Sequence, residues 1–328
     1  MRHVKTAVIG SAMVAIAGTA SANILIAITS PTQYNYIVHK VPDFDQRRVG
    51  MPNNGNFYCV PASTLNWFTY IANHGYPILL PGPGDWSGQG PFNTVTNYLV
   101  LMGVYMSTNP SSGTNLPNTV TGFKTWLGTS PYSSHFVLIG KDSDSIVSYR
   151  FDDVAQQALL GRLVMPRIGW YDMSSYPLIF RNGGHLACMT AAVRNGSSRT
   201  LGLNDPASAN GDLAVQSDFT REDYNIIEAT PTVGGVARLM SRVESYSHNG
   251  KGGWIDGYRA IVPVFGLTNS PDNTGVVMKK PFAFGSAQPS EVNFPSGGNI
   301  NQLKLTSDAL AAVVLSNNNQ QQTSTLKK

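Results

Sequence analysis

The stretch Gly183-Gly184-His185-Leu186-Ala187-Cys188-Met189-Thr190-Ala191-Ala192-Val193, followed by Asn195-Gly196 and then Thr200-Leu201-Gly202-Leu203-Asn204-Asp205-Pro206, reads as two apolar strands joined by a tight hairpin. Asn-Gly between apolar runs is the strongest short-range hairpin signal, because both residues tolerate the positive φ that such turns need. Pairing across this turn sets the start of the first strand, at His185, beside the end of the second, at Asp205. A carboxylate there can accept from the imidazole and fix its tautomer.

Upstream, Asn56-Phe57-Tyr58-Cys59-Val60-Pro61-Ala62-Ser63 leads into a helix whose apolar residues Leu65, Phe68, Tyr70 and Ile71 recur at near-helical intervals. Pro61 suits a first turn and Asn73-His74-Gly75 a C-terminal stop. Cys59 thus begins a helix, where unsatisfied backbone N–H groups favour a thiolate. Val95 to Met102 and Pro117 to Leu127 read as short helices, the second opened by Asn115, and Phe151 to Gly161 as another. Strands are expected at His135 to Ile139, Leu163 to Trp170, Tyr224 to Ala229, Ala237 to Tyr246 and Tyr258 to Phe265, with a mobile loop over Asp172 to Gly183. Helices first and strands later imply an α+β class.

The composition suits a loop-rich globular protein: of 328 residues, 42% are hydrophobic and only 13% charged, with 32 Gly and 20 Pro. That apolar content excludes disorder throughout. The net charge of +4 falls close to neutral once Arg2 and Lys5 are removed with the leader described below. The basic pairs Arg47-Arg48, Lys279-Lys280 and Lys327-Lys328 are scattered and form no stripe, which speaks against a nucleic-acid partner. Cys59 and Cys188 are the two cysteines, too few for a disulfide framework, and no spacing suggests zinc. No cofactor and no metal are expected. Gly82-Pro83-Gly84 is not a dinucleotide fingerprint, no P-loop or Gly-x-Ser-x-Gly occurs, and Asp142-Ser143-Asp144 lacks the glycine and distal glutamate of a calcium loop.

Arg2 and Lys5, the apolar run Ala7 to Gly18 and the small residues Ala20-Ser21-Ala22 have the order of a secretory signal peptide. Residues 1–22 are therefore read as a leader, placing the mature chain in a secreted or periplasmic setting, with an uncleaved anchor as the rival reading. Residues 23–40 form an N-terminal strand or linker, 41–266 the main domain and 267–328 an extension, disordered from about 316.

Five stretches, Val41-Pro42-Asp43-Phe44-Asp45-Gln46, Tyr58-Cys59-Val60-Pro61-Ala62-Ser63, Ala158-Leu159-Leu160-Gly161-Arg162-Leu163-Val164, Gly183-Gly184-His185 and Asn204-Asp205-Pro206, in this order resemble the C39-like branch of papain-fold cysteine peptidases. The resemblance spans residues 41 to 210. It implies a papain-like fold, an N-terminal helical part packed on a C-terminal antiparallel β-sheet. It also implies Cys59 as nucleophile, His185 as general base and acid, Asp205 as its orienter and Gln46 as oxyanion donor, with a peptide or protein as substrate. Asn53, Asn54 and Asn56 are alternative donors, and His135, which also opens an apolar strand, is the competing base. His74 lies at the far end of the Cys59 helix, too distant to serve. Trp86 and Trp170 are candidates to line a cleft.

The expected activity is hydrolysis of peptide or amide bonds by a Cys-His-Asp mechanism. A non-catalytic peptide- or protein-binding module, to which a Cys59–Cys188 disulfide would point, and a transglutaminase-like acyl transferase are the alternatives.

Overall fold

The computed structural model describes residues 24–80, 89–128, 132–143, 148–207, 221–264 and 267. Residues 1–22, read above as a leader, Trp86 and the residues beyond 267 lie outside the described residues. In chain order the elements are β1 (Ile24–Ser30), β2 (Gln33–Val38), α1 (Cys59–Asn73), α2 (Gln89–Tyr105), α3 (Leu116–Gly128), β3 (Phe136–Asp142), α4 (Phe151–Leu159), β4 (Leu163–Ser175), β5 (Leu178–Leu186), β6 (Cys188–Asn195), β7 (Ser198–Asn204), β8 (Glu222–Ala229), β9 (Thr232–Val233), β10 (Val236–Ala237), β11 (Met240–His248) and β12 (Lys251–Pro263).

The strands form one 12-stranded sheet in the order β1-β2-β6-β7-β8-β11-β12-β4-β5-β9-β10, with β3 alongside β12. Pairings are antiparallel except β5 with β9, so the sheet is mixed. This overturns the expected papain-like α+β plan of an N-terminal helical part on a C-terminal antiparallel sheet. The physical reason is strand order. The alternating burial of β2, which hides Tyr34, Tyr36 and Val38, pairs it with β6 and draws the N-terminal hairpin into the sheet. The helices are insertions between strands, and α4 separates β3 from β4.

Two further expectations are corrected. The segment Asp172 to Gly183, read as a mobile loop, is the β4–β5 hairpin, pairing Asp172 with Phe180 and Ser175 with Leu178. Its outward residues are polar or exposed along most of β5, so no apolar alternation marks it. The run His185 to Val193 is not one strand: it breaks at Ala187, leaving His185 at the end of β5 and Cys188 at the start of β6. The hairpin itself joins β6 to β7, with Asn195 opposite Ser198 and Gly196-Ser197 as the loop. Gly196 takes φ +61°, the left-handed value a type II′ turn asks of its first central residue.

Helix α1 is buried over nearly its whole length and occupies the core, packed on β5 and β6. Most of its buried polar groups are paired, as burial demands, the Asn66 amide nitrogen being an exception. Thr64 and Thr69 donate to the Val60 and Leu65 carbonyls, the Trp67 indole donates to the Val164 carbonyl, and the Asn66 amide oxygen accepts from the Phe44 N–H. Phe68 stacks on Trp126 and Phe123 of α3. The Asn115 side chain caps α3 through the Asn118 N–H at 2.8 Å.

Candidate active site

Cys59 opens α1, partly exposed at the helix start, and the helix has no side-chain cap at Tyr58. Two bonds seat this end of the helix on the sheet. Ser63, one turn on, donates its hydroxyl to the Leu186 carbonyl at 2.8 Å, and the Cys188 thiol donates to the Ser63 carbonyl at 3.2 Å. Leu186 follows His185 directly, so the bond ties the first turns of α1 to the strand end that carries the imidazole. Both cysteines are free thiols, and burial holds the Cys188 thiol well above the usual range. The disulfide alternative is thereby set aside.

The Cys59 thiol lies beside the His185 ring, close enough for each group to shift the other's ionisation. On the other side of the ring, Nε2 donates to the Asp205 carboxylate at 2.6 Å, which leaves Nδ1 toward the sulfur. Asp205 is buried and accepts two more bonds, from the Ala207 N–H at 2.8 Å and from the Tyr246 hydroxyl. Three elements therefore meet: the start of α1, the end of β5 and the turn after β7.

The charges are mutually supporting. Burial opposes ionisation at Cys59, but the hydrogen bond and charge of His185, with a backbone bond at Leu186, hold its pKa below the ordinary thiol value. Burial also disfavours imidazolium at His185, and the Asp205 carboxylate overrides it, raising the pKa. Asp205 is lowered against its own burial by His185, Tyr246 and Ala207. All three shifts run toward the charged forms, thiolate, imidazolium and carboxylate, the arrangement required of an activated sulfur nucleophile.

Trp170 of β4 lies over the imidazole, with ring centroids 6.0 Å apart and planes 26° off parallel. The same indole contacts Tyr246 at 5.2 Å and His248 at 5.5 Å, and the rings shield one side of the His185–Asp205 pair. The Trp170 expectation of a cleft-lining side chain meets a more specific placement here. Tyr246 was missed by sequence reasoning, since it lies on β11 and nothing local marks it.

Gln46 is brought near α1, where its backbone N–H donates to the Pro206 carbonyl at 2.7 Å. Its side-chain nitrogen, however, donates to the Gly55 and Asn56 carbonyls at 3.1 and 3.0 Å. Both amide hydrogens are committed to the chain, so in this conformation the side chain presents no donor for an oxyanion. The approach is enforced by Gly55, at φ +75°, where an added Cβ would lie 1.8 Å from the Gln46 carbonyl oxygen. Of the alternative donors, Asn53 gives its amide to the Pro110 carbonyl, and Asn54 and Asn56 are exposed.

His135 lies apart from this cluster, its ring in edge contacts with Tyr76 and Tyr132. His74 ends α1, where burial and the cation Lys40 hold its pKa down to about 4 although its Nδ1 contacts the Tyr70 carbonyl at 2.6 Å. Among the described residues no group of three or more His, Cys, Asp or Glu converges as a metal site. No described helix is long and apolar enough to cross a membrane.

Searched against known protein families, the chain matches none, and no curated protein matches it in sequence.

Proposed function

We propose that this chain is a thiol hydrolase that cleaves peptide or amide bonds through Cys59, His185 and Asp205. The observation that carries the reading is the convergence of the Cys59 thiol, at the start of α1, on a His185 ring whose Nε2 is hydrogen-bonded to Asp205. The chemistry is that of the C39-like peptidases which the five quoted stretches resemble.

In the proposed cycle the thiolate attacks the carbonyl carbon, forming a C–S bond while the carbonyl π pair moves onto oxygen. Backbone N–H groups at the start of α1 are the donors for that oxyanion. Collapse breaks the C–N bond, and the His185 imidazolium gives its proton to the departing amine. Water, deprotonated by His185, then attacks the thioester, the acid leaves, and the thiolate is restored. Asp205 keeps the ring oriented throughout and stays ionised.

One observation favours a reading of another class, a non-catalytic peptide-binding module: the Gln46 amide is engaged by Gly55 and Asn56. A peptide vinyl sulfone, with turnover of a peptide library followed by mass spectrometry, separates the two. The hydrolase is expected to gain one adduct at Cys59 and to release peptide fragments, both abolished in Cys59→Ala. An unmodified Cys59 with intact peptides favours the binding module. We propose an extracytoplasmic setting on the order of charges and small residues in the leader, and a mature N-terminus at Asn23 tests it.

A further inference from the structure

One flank of the catalytic imidazole is rimmed by cations. His248 ends β11, and its ring lies 5.5 Å from the Trp170 indole, which itself covers His185. Asn249 and Gly250 follow, with φ of +50° and +75°, the paired left-handed values of a tight type I′ hairpin. That turn sets Lys251, the first residue of β12, directly opposite His248, so the two side chains leave the same face of the sheet. Arg47 reaches this neighbourhood from the loop before α1. Its guanidinium donates to the carbonyl of Ala207, whose own N–H holds Asp205. All three are open to solvent: His248 is exposed, Lys251 half-buried and the Arg47 side chain 35% exposed.

Little negative charge answers them. Among the described residues neither His248 nor Lys251 has a carboxylate within ion-pair distance, and the His248 ring contacts the Asn249 amide at 3.1 Å. Asp45 lies 4.0 Å from Arg47 but is buried, and Asp172 of β4 feels Lys251 without pairing with it. Asp205 is buried and already committed to His185, Ala207 and Tyr246. Burial first, and then the charges of His185, Lys251 and Arg47, hold His248 below its ordinary pKa. Like charges are pressed together here, and a carboxylate arriving from solvent relieves them.

The place of this rim decides which part of a substrate meets it. In the hydrolase cycle His185 gives its proton to the departing amine, so the leaving half of the substrate passes the imidazole and the groups beside it. We propose, resting on that reading, that the chain selects peptides bearing an aspartate or glutamate just past the scissile bond, the carboxylate received by Lys251 and His248 with Arg47 adding to the attraction. A glutamine there forfeits the attraction, and a lysine brings one more like charge to the rim.

The test is digestion of a proteome-derived peptide library by the full chain, with cut sites read by mass spectrometry, followed by matched synthetic peptides carrying Glu, Gln or Lys just after the cut. The Glu peptide is expected to exceed the Gln peptide in kcat/KM by about fivefold at low salt, the scale of a partly exposed charge pair. Most of that lead is expected to vanish in about 1 M salt, where charges are screened beyond about 3 Å. Lys251→Glu is expected to reverse the order of the Glu and Lys peptides. Each result is a ratio within one preparation, so any loss of folded protein cancels. Equal cleavage of the Glu and Gln peptides, a lead for the Lys peptide in the native chain, or a Glu preference that survives Lys251→Glu overturns the proposal and leaves the hydrolase reading standing. Intact peptides together with a Cys59 left unmodified by the vinyl sulfone overturn both.

Discussion

The Ser63 hydroxyl donates to the Leu186 carbonyl across 2.8 Å, joining the first turns of α1 to the strand end that carries His185. Ser63→Ala removes that buried bond and is expected to cost about 1 kcal/mol of stability. If the bond also sets the distance between sulfur and imidazole, Cys59 alkylation at neutral pH slows more than stability alone explains. Denaturant unfolding and alkylation rates on the same preparation check this, and an unchanged alkylation rate contradicts the positioning role.

Tyr246 steadies Asp205 through its hydroxyl and is buried with it. In Tyr246→Phe the ring stays packed on Trp170 while the carboxylate loses one donor, so the pKa of Asp205 is expected to rise and the imidazolium to be held less firmly. The expected effect is a loss of about 1 kcal/mol of support, on the order of fivefold in alkylation at pH 6. Tyr246→Ala adds the loss of packing and is expected to lower Tm as well.

Gln46 is expected to behave as a brace for the loop before α1, since its amide holds the Gly55 and Asn56 carbonyls. Gln46→Glu removes those donors and sets a carboxylate against two carbonyls, and its unfolding midpoint is expected to fall more than that of Gln46→Ala. A selective loss of turnover with unchanged stability would instead assign Gln46 to the oxyanion.

His74 is buried and neutral, its pKa down to about 4 from the ordinary 6.5. Because the unfolded chain takes up a proton that the native chain refuses, His74 supports the fold above about pH 6.5 and progressively loses that support as pH falls toward 4. The loss reaches roughly 3 kcal/mol on that difference. His74→Gln is expected to flatten the stability profile across this window, measured by urea unfolding at several pH values. The His185–Asp205 pair acts in the opposite sense at its alkaline edge. Its raised histidine contributes fully below pH 6.5 and loses support as pH rises through the higher native value, while Asp205 contributes above its ordinary value and fails only in stronger acid.

Much of the site was legible because its parts carry local signals. Pro61 and the Asn73-His74-Gly75 stop mark α1, so Cys59 at its start could be read from the chain. The Asn195-Gly196 pair marks the β6–β7 turn, whose loop is Gly196-Ser197, and that turn brings the end of β7 back toward the start of β6, near enough for Asp205 to meet His185. The strand that holds His185 was not legible, because β5 buries few side chains and its Asn182-Gly183-Gly184 segment looks like a loop. Nor was the fold class, since the place of β2 beside β6 is a pairing over more than 150 residues that no local pattern announces. Trp170 and Tyr246 reach the site by that same long-range strand order, from β4 and β11.

The most direct measurement is the pH dependence of the Cys59 thiolate, followed by ultraviolet absorbance and alkylation with Cys188 replaced by Ala. The account expects a midpoint below the ordinary thiol value in the otherwise native chain, moving above it in His185→Ala, where burial and the Asp205 charge are opposed by the Leu186 backbone bond alone. A midpoint at or above the ordinary value in the native chain, or one indifferent to His185→Ala, contradicts it.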